Sequence, residues 1–239
     1  MNKSFKRAIN PSQYDLDDIN WDKDIETYSP IRDFFYNGLK KYSSKWIDAK
    51  ILDIGCGRGW LLDLMEKNGA KSIEGIEPSE KNIKLGNKLY PRLKINKSSI
   101  ESFENSNKYD LITSVMVFGH VENVKSVFKK IYSMLDKGGE FHMITHGYDY
   151  NKLPRHGYGV KITDINECEY ITVVKRKQGN IADIVRKVKI FKKAAKEVGL
   201  GFIEDVPMYP TSELMEQVPS YKKMENVVLT HLVRFKKCK

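Results

Sequence analysis

The chain has 239 residues, 41% apolar and 30% charged, enough for one large domain with a full core. Its net charge of +10 is uneven, with +2 over residues 1–150 and +8 over 151–239. No apolar run approaches the ~18 residues of a membrane span, no apolar stretch follows the basic N-terminus to make a secretory leader, and Cys56, Cys168 and Cys238 are too scattered for a disulfide framework or a zinc site. The expectation is a cytoplasmic protein with no structural metal and no membrane partner.

Residues 1–28 mix charges with isolated aromatics (Tyr14, Trp21, Tyr28) and read as an irregular arm or short helices over the core. Ser29-Pro30 has the form of a helix start. The helix it opens buries Ile31, Phe34, Phe35, Leu39 and Tyr42. Residues 1–49 are therefore expected to be an arm and helix capping a site built by residues 50–239.

From Lys50 the chain reads K-I-L-D-I-G-C-G-R-G, an apolar run punctuated by glycines on alternate positions, followed by an apolar-periodic stretch from Trp60. Strand, tight glycine turn and helix is the order that presents backbone N–H groups and a helix N-terminus to a ligand. Asp53 stands two residues before the first glycine. Its carboxylate would repel a pyrophosphate and hold a ligand ammonium. After a stop at Asn68-Gly69, Ser72–Ile76 reads as a second strand ending in Glu77-Pro78-Ser79. Glu77 falls where a carboxylate accepts the ribose hydroxyls of an adenosine, a chemistry that NAD-binding proteins share.

Ser79 caps a helix running to about Tyr90, and Leu93–Ile95 is a short third strand. Tyr109–Ser114 is the fourth strand, Asn123–Leu135 a periodic helix stopped by Lys137-Gly138-Gly139, and Glu140–Thr145 the fifth strand. Residues 146–180 are longer than a connection and hold His146, Tyr148, Asp149, Tyr150, His156 and Tyr158, with a strand at Ile171–Val174. Ile181, Ile184, Val185, Val188, Phe191, Ala195 and Val198 read as one amphipathic helix. Phe202–Val206 and Val227–Phe235 are a final antiparallel pair, with Pro207, Pro210 and Pro219 in an irregular loop between them.

Four segments in order, D-I-G-C-G-R-G at 53–59, Y-D-L-I-T-S at 109–114, H-V-E-N at 120–123 and L-D-K-G-G-E-F at 135–141, resemble the class I S-adenosylmethionine (SAM)-dependent methyltransferases. The resemblance covers residues 50–145. It implies an α/β fold, a doubly wound, mainly parallel, Rossmann-like sheet of seven strands with an antiparallel C-terminal pair. By position it assigns SAM to Asp53, Gly55, Cys56, Gly57, Glu77, Pro78, Ser99, Ile100, Ser114 and Val115. The methyl group would face the loops after the fourth and fifth strands, so His120 and then His146 are the candidate bases for a hydroxyl acceptor. His142, inside a strand, reads as structural. The expected acceptor is a hydroxyl or amine of a small molecule, including anionic ones such as a sugar nucleotide or phosphorylated metabolite. The basic stretch Lys175-Arg176-Lys177 to Lys196 keeps an RNA-modifying alternative open, and a non-catalytic SAM-binding protein is the other.

Overall fold

The computed structural model describes residues 3–16, 29–153, 159–175 and 179–238. Trp21, Tyr28, His156, Tyr158, Arg176 and Lys177 lie outside the described residues.

Alternation along the central strands sorts their side chains into two layers. In β1 (Lys50–Ile54) and β4 (Tyr109–Val115), Ile51 and Leu111 join one core, and Leu52 and Ile112 join the other. The first core is closed by α2 (Pro30–Lys40), α3 (Trp60–Lys67) and α7 (Ser212–Gln217) through Phe34, Leu39, Leu61, Met65 and Leu214. The second is closed by α5 (Val124–Met134) and α6 (Val188–Val198) through Phe128, Ile131, Phe191 and Ala195. Burial on both faces explains why the apolar residues of these strands fall on consecutive positions, as in Ile51-Leu52 and Leu111-Ile112.

Five parallel strands, β1, β2 (Ser72–Glu77), β3 (Ile95–Lys97), β4 and β5 (Leu135–His146), are completed by the antiparallel β9 (Leu200–Met208) and β10 (Thr230–Lys237). The order is β3-β2-β1-β4-β5-β10-β9. This is the expected doubly wound sheet with its C-terminal antiparallel pair. A smaller antiparallel sheet, β6 (Gly159–Asn166), β7 (Glu169–Lys175) and β8 (Asn180–Arg186), fills the long insertion. The helix α1 (Lys3–Ala8) lies on it, with Phe5, Ala8 and Ile9 against Ile171, Ala182 and Ile184. The N-terminal arm is thus fastened to the insertion.

Four elements differ from their sequence reading. Ile181, Ile184 and Val185 are in β8 and the helix begins only at Val188, so the insertion's sheet runs past residue 180 to Arg186. α1 covers the face of Ala182 and Ile184, Asp183 on the opposite face packs on Gly119, and the segment pairs with β7, which suits its β-branched residues as a strand. The third strand begins at Ile95, because Leu93 sits in a turn with its N–H on Tyr90 O (3.0 Å). Strand five begins at Leu135, directly after α5, and the Gly138-Gly139 segment is a ladder irregularity inside it. Pro207 lies within β9, which is an edge strand where its missing N–H costs no ladder bond, and α7 occupies part of the expected loop.

Candidate active site

The carboxyl ends of β1, β2 and β4 open into one cleft of about 200 Å³. Its floor is the glycine turn. Gly55 (φ +66°) and Gly57 (φ +56°) adopt backbone that L side chains disfavour, and each does something different. A Cβ on Gly55 would stand 2.3 Å from Val117 Cγ2, so this glycine admits the loop after β4. A Cβ on Gly57 would meet nothing within 4 Å, so this glycine leaves open space.

Glu77, at the end of β2, is 5% exposed and reaches back to the turn. Gly57 N–H donates to one carboxylate oxygen and Ser79 N–H to the other, both at 2.9 Å. Burial pushes its acidity down, against these two bonds. Ser79 also caps α4 (Glu80–Leu89) by accepting from Asn82 N–H. Gly55, Gly57, Glu77, Pro78, Ser99, Ile100 and Val115 all line the cleft.

Asp53, Cys56 and Ser114 do not line it. Asp53 shares the sheet face of Ile51 and is 3% exposed. Thr113 Oγ1 donates to it at 2.7 Å, while burial, with the nearby Glu77 charge adding to it, pushes its carboxyl up to about 7. The buried phenol of Tyr36 on α2 is pushed up too, first by burial and next by the charge of Asp53. Cys56 packs against Gly75 and Leu62, where burial holds its thiol well above its ordinary range. Ser114 is 1% exposed, and its hydroxyl finds no hydrogen-bond partner among the described residues.

This end of the cleft fits SAM on two observations. Glu77 Oε2 takes a single N–H bond and keeps acceptor capacity for a ribose hydroxyl, while Oε1 takes Ser79 N–H and, at 3.5 Å, Asn82 Nδ2. The space over Gly57 is what a Cβ would take up.

The other end of the cleft is formed by His120, Val121, Met116, Tyr14 and Pro11. Phe118 anchors the His120 loop, since it is 1% exposed and edge-on to Phe128 and Phe191 (centroids 5.6 Å). Arg186 on β8 donates to Phe118 O at 2.7 Å, and Ile184 N–H to Gly119 O at 2.8 Å. His120 Nδ1 lies 2.9 Å from Gln13 Nε2, and its Nε2 lies 3.2 Å from the Tyr14 hydroxyl and 3.5 Å from Asp183 Oδ1. His146 is 7% exposed and off the cleft wall, with Nε2 3.8 Å from the same Asp183 oxygen. His142 is enclosed in an ionic cluster with Glu140 (2.8 Å) and Arg234 (3.1 Å) between β5 and β10.

Gln13, Tyr14, Asp15 and Asp183 are the site residues that sequence reasoning missed. Asp15 accepts from Ser79 Oγ and Glu80 N–H, both at 2.7 Å, and from Lys81 N–H at 3.1 Å, which latches the arm to the start of α4. The available signal for Asp183 was an acid inside the β-branched run I-A-D-I-V.

Residues 28–176 match a family described as a methyltransferase domain. A ubiquinone biosynthesis O-methyltransferase of Pelagibacter ubique is 32% identical over 130 residues, 49% of this chain and 53% of the relative. One of Rickettsia bellii is 29% identical over 129 residues, 50% of this chain and 53% of the relative. The chain spans about half the length of these curated relatives. Among solved structures, a SAM-dependent methyltransferase of Mesorhizobium loti superposes with a TM-score of 0.68 at 17% identity, covering 87% of this chain and 100% of that one. The N-methyltransferase NodS of Bradyrhizobium japonicum with S-adenosyl-L-homocysteine (SAH) gives 0.59 at 17% identity, covering 99% and 98%. These two likenesses establish fold. With the sheet order, the glycine turn and the family match in agreement, the chain belongs to the class I SAM-dependent methyltransferases.

Proposed function

We propose that this chain transfers a methyl group from SAM to a hydroxyl of a small molecule. The observation that carries the reading is one cleft in which the glycine turn and Glu77 share walls with Tyr14 and His120. Bound SAM supplies a methyl group already activated by its sulfonium. The chain's own work is then to bind, align and exclude water. Glu77 would accept the ribose hydroxyls, Asp53 would hold the ammonium, and Ser99 and Ile100 would flank the adenine. Met116, Val117 and Val121 would keep the reacting end dry, and His120 with Tyr14 would meet the acceptor.

The name of the matched relatives, O-methyltransferase, favours oxygen over nitrogen as the acceptor atom. The described lining holds no lysine or arginine to pair with a phosphate, which favours an acceptor without phosphate over a sugar nucleotide or phosphorylated metabolite. The lysines of α6 that prompted the RNA reading lie elsewhere: Lys192 is 3.7 Å from Asp205, and Lys189 is 3.9 Å from Glu167.

The test is incubation with methyl-labelled SAM and a metabolite extract. Label in a small O-methyl product supports the proposal. Label in RNA or protein replaces it, and SAH binding with no labelled product in any fraction makes the chain a binding module.

A further inference from the structure

A histidine beside a transferable methyl invites the role of general base, which requires a lone pair on the nitrogen nearest the acceptor. The surroundings of His120 specify the opposite. Gln13 cannot be turned around: its Oε1 accepts from Ala182 N–H and its Nε2 donates to Ala182 O, both at 3.0 Å. The nitrogen facing His120 Nδ1 at 2.9 Å is therefore a donor, and Nδ1 must accept. Ala8 O competes for Nδ1 at 3.2 Å, but from farther away. On the other side of the ring, Asp183 Oδ1 stands 3.5 Å from Nε2, and a carboxylate there calls for an N–H. Two groups on separate segments, the arm and β8, thus select the same form, with the proton on Nε2.

We propose that His120 serves the reaction as a fixed Nε2–H donor, that Gln13 and Asp183 are the positioning residues that set this form, and that the acceptor is an acidic hydroxyl, such as a phenol or enol already ionised near neutral pH. This rests on the hydroxyl-transfer reading above. The donor series is continuous: Gln13 N–H to Nδ1, the one Nε2 hydrogen to the Tyr14 oxygen at 3.2 Å, nearer than Asp183 Oδ1 at 3.5 Å, and the Tyr14 O–H, turned away from the ring, as the hydrogen offered to the acceptor oxygen. Tyr14 and His120 both line the cleft, so the corner offers a hydrogen to an oxygen. An ionised oxygen is matched to it. An alcohol that must lose its proton finds no lone pair on the ring face nearest it. The transfer balances without a base: the oxyanion's electron pair forms the O–CH3 bond, the C–S pair stays on sulfur, and no proton moves.

The experiment is a long-range 1H–15N correlation spectrum of the full chain labelled with 15N-histidine, with SAH added, using His120→Gln to assign the signal. The proposal expects a protonated Nε2 and a bare Nδ1 at neutral pH. A protonated Nδ1 with a bare Nε2 overturns it. Because this is read on the unmutated protein, it survives any failure of a variant to fold. Methyl transfer to 4-nitrophenol and to benzyl alcohol then reads the acceptor class. Transfer to the phenol, reduced ~10–100-fold in His120→Ala and kept within a few-fold in His120→Gln, fits a donor. Preference for benzyl alcohol, or equal loss in both variants, sinks the donor role. Transfer to neither probe, with the expected ring form, would leave the ring assignment standing and count against the hydroxyl-transfer reading beneath it.

Discussion

The two ends of the cleft are built in different ways. The cofactor end comes from neighbouring segments: a strand and its turn at 50–59, a strand end at 77–79, a loop at 99–100 and Val115 at the end of β4. The acceptor end is assembled at long range, with Gln13 and Ala182 bonded across 169 positions and His120 set between Gln13 and Asp183. A parallel sheet brings its own strand ends together, so the first end follows from fold alone. The second exists only because an arm and an inserted sheet pack on one another. Damage to one end should therefore leave the other working.

The largest separation is expected from Glu77→Ala. Losing the ribose acceptor and leaving the Gly57 and Ser79 N–H groups unserved should weaken SAH binding by ~1–3 kcal/mol, or roughly 5–150-fold. The histidine signals of the acceptor end should not move. Calorimetry with an unchanged affinity would remove Glu77 from the cofactor site.

Gly119→Ala is the mirror-image change. A Cβ there would stand 2.6 Å from Asp183 Oδ1 and 3.1 Å from His146 Cε1, in a loop already fixed by Phe118 and Arg186. Overpacking of this kind costs ~1–3 kcal/mol of stability. Methyl transfer should fall while SAH affinity holds, and equal loss of both would erase the distinction between the two ends.

That difference also explains what could be read from the amino acids. Asp53, the glycines and Glu77 are legible because a local chain geometry dictates their types. Asp183 was hidden, since Ile181, Ile184, Val185 and Val188 satisfy a helical spacing and a two-sided strand equally well. Pairing with β7, the strand just before this segment, and cover from α1, about 175 positions away, decide between them. Leu93 reads as strand from sequence for a related reason: it is 6% exposed, but in a turn packed on Gly59. Asp53 shows a limit of the opposite kind. Its type was legible, but its place off the cleft wall depends on which sheet face its position in β1 selects.

Asp53 supplies a third, pH-dependent test. Burial raises its carboxyl to about 7 in the folded chain, above the unfolded value near 4. The free protein therefore holds a proton there that the unfolded chain gives up, and stability falls as pH rises between those values. A bound ammonium needs the ionised form. Affinity for SAH should accordingly be roughly tenfold weaker at pH 6 than at pH 8, with close to one proton released at pH 6. Asp53→Asn should flatten this profile, while Glu77→Gln, at the other acid raised by burial, tests for a second source of the proton. A profile unchanged in Asp53→Asn would place the ammonium elsewhere.

The smallest effect should come from Asp15→Ala, the one change that belongs to both ends. Asp15 accepts three hydrogen bonds at the start of α4, beside the Glu77 pocket. Its neighbours Gln13 and Tyr14 hold His120, and Pro11 and Tyr14 form cleft wall. Removing the carboxylate leaves the Ser79 cap in place but takes the acceptor from the Glu80 and Lys81 N–H groups, a loss of ~0.5–1.5 kcal/mol. The arm keeps its second anchor, since Phe5, Ala8 and Ile9 remain seated on the inserted sheet. It should therefore loosen at the α4 end without leaving. SAH should dissociate a few-fold faster in stopped-flow measurements, because the wall that Pro11 and Tyr14 provide opens more often. The His120 signals should broaden in the same variant, because Gln13 rides on the same segment. Faster release without broadening would mean that Asp15 guards the cofactor end alone. Broadening without faster release would mean that the arm serves the acceptor end and leaves the cofactor's path open.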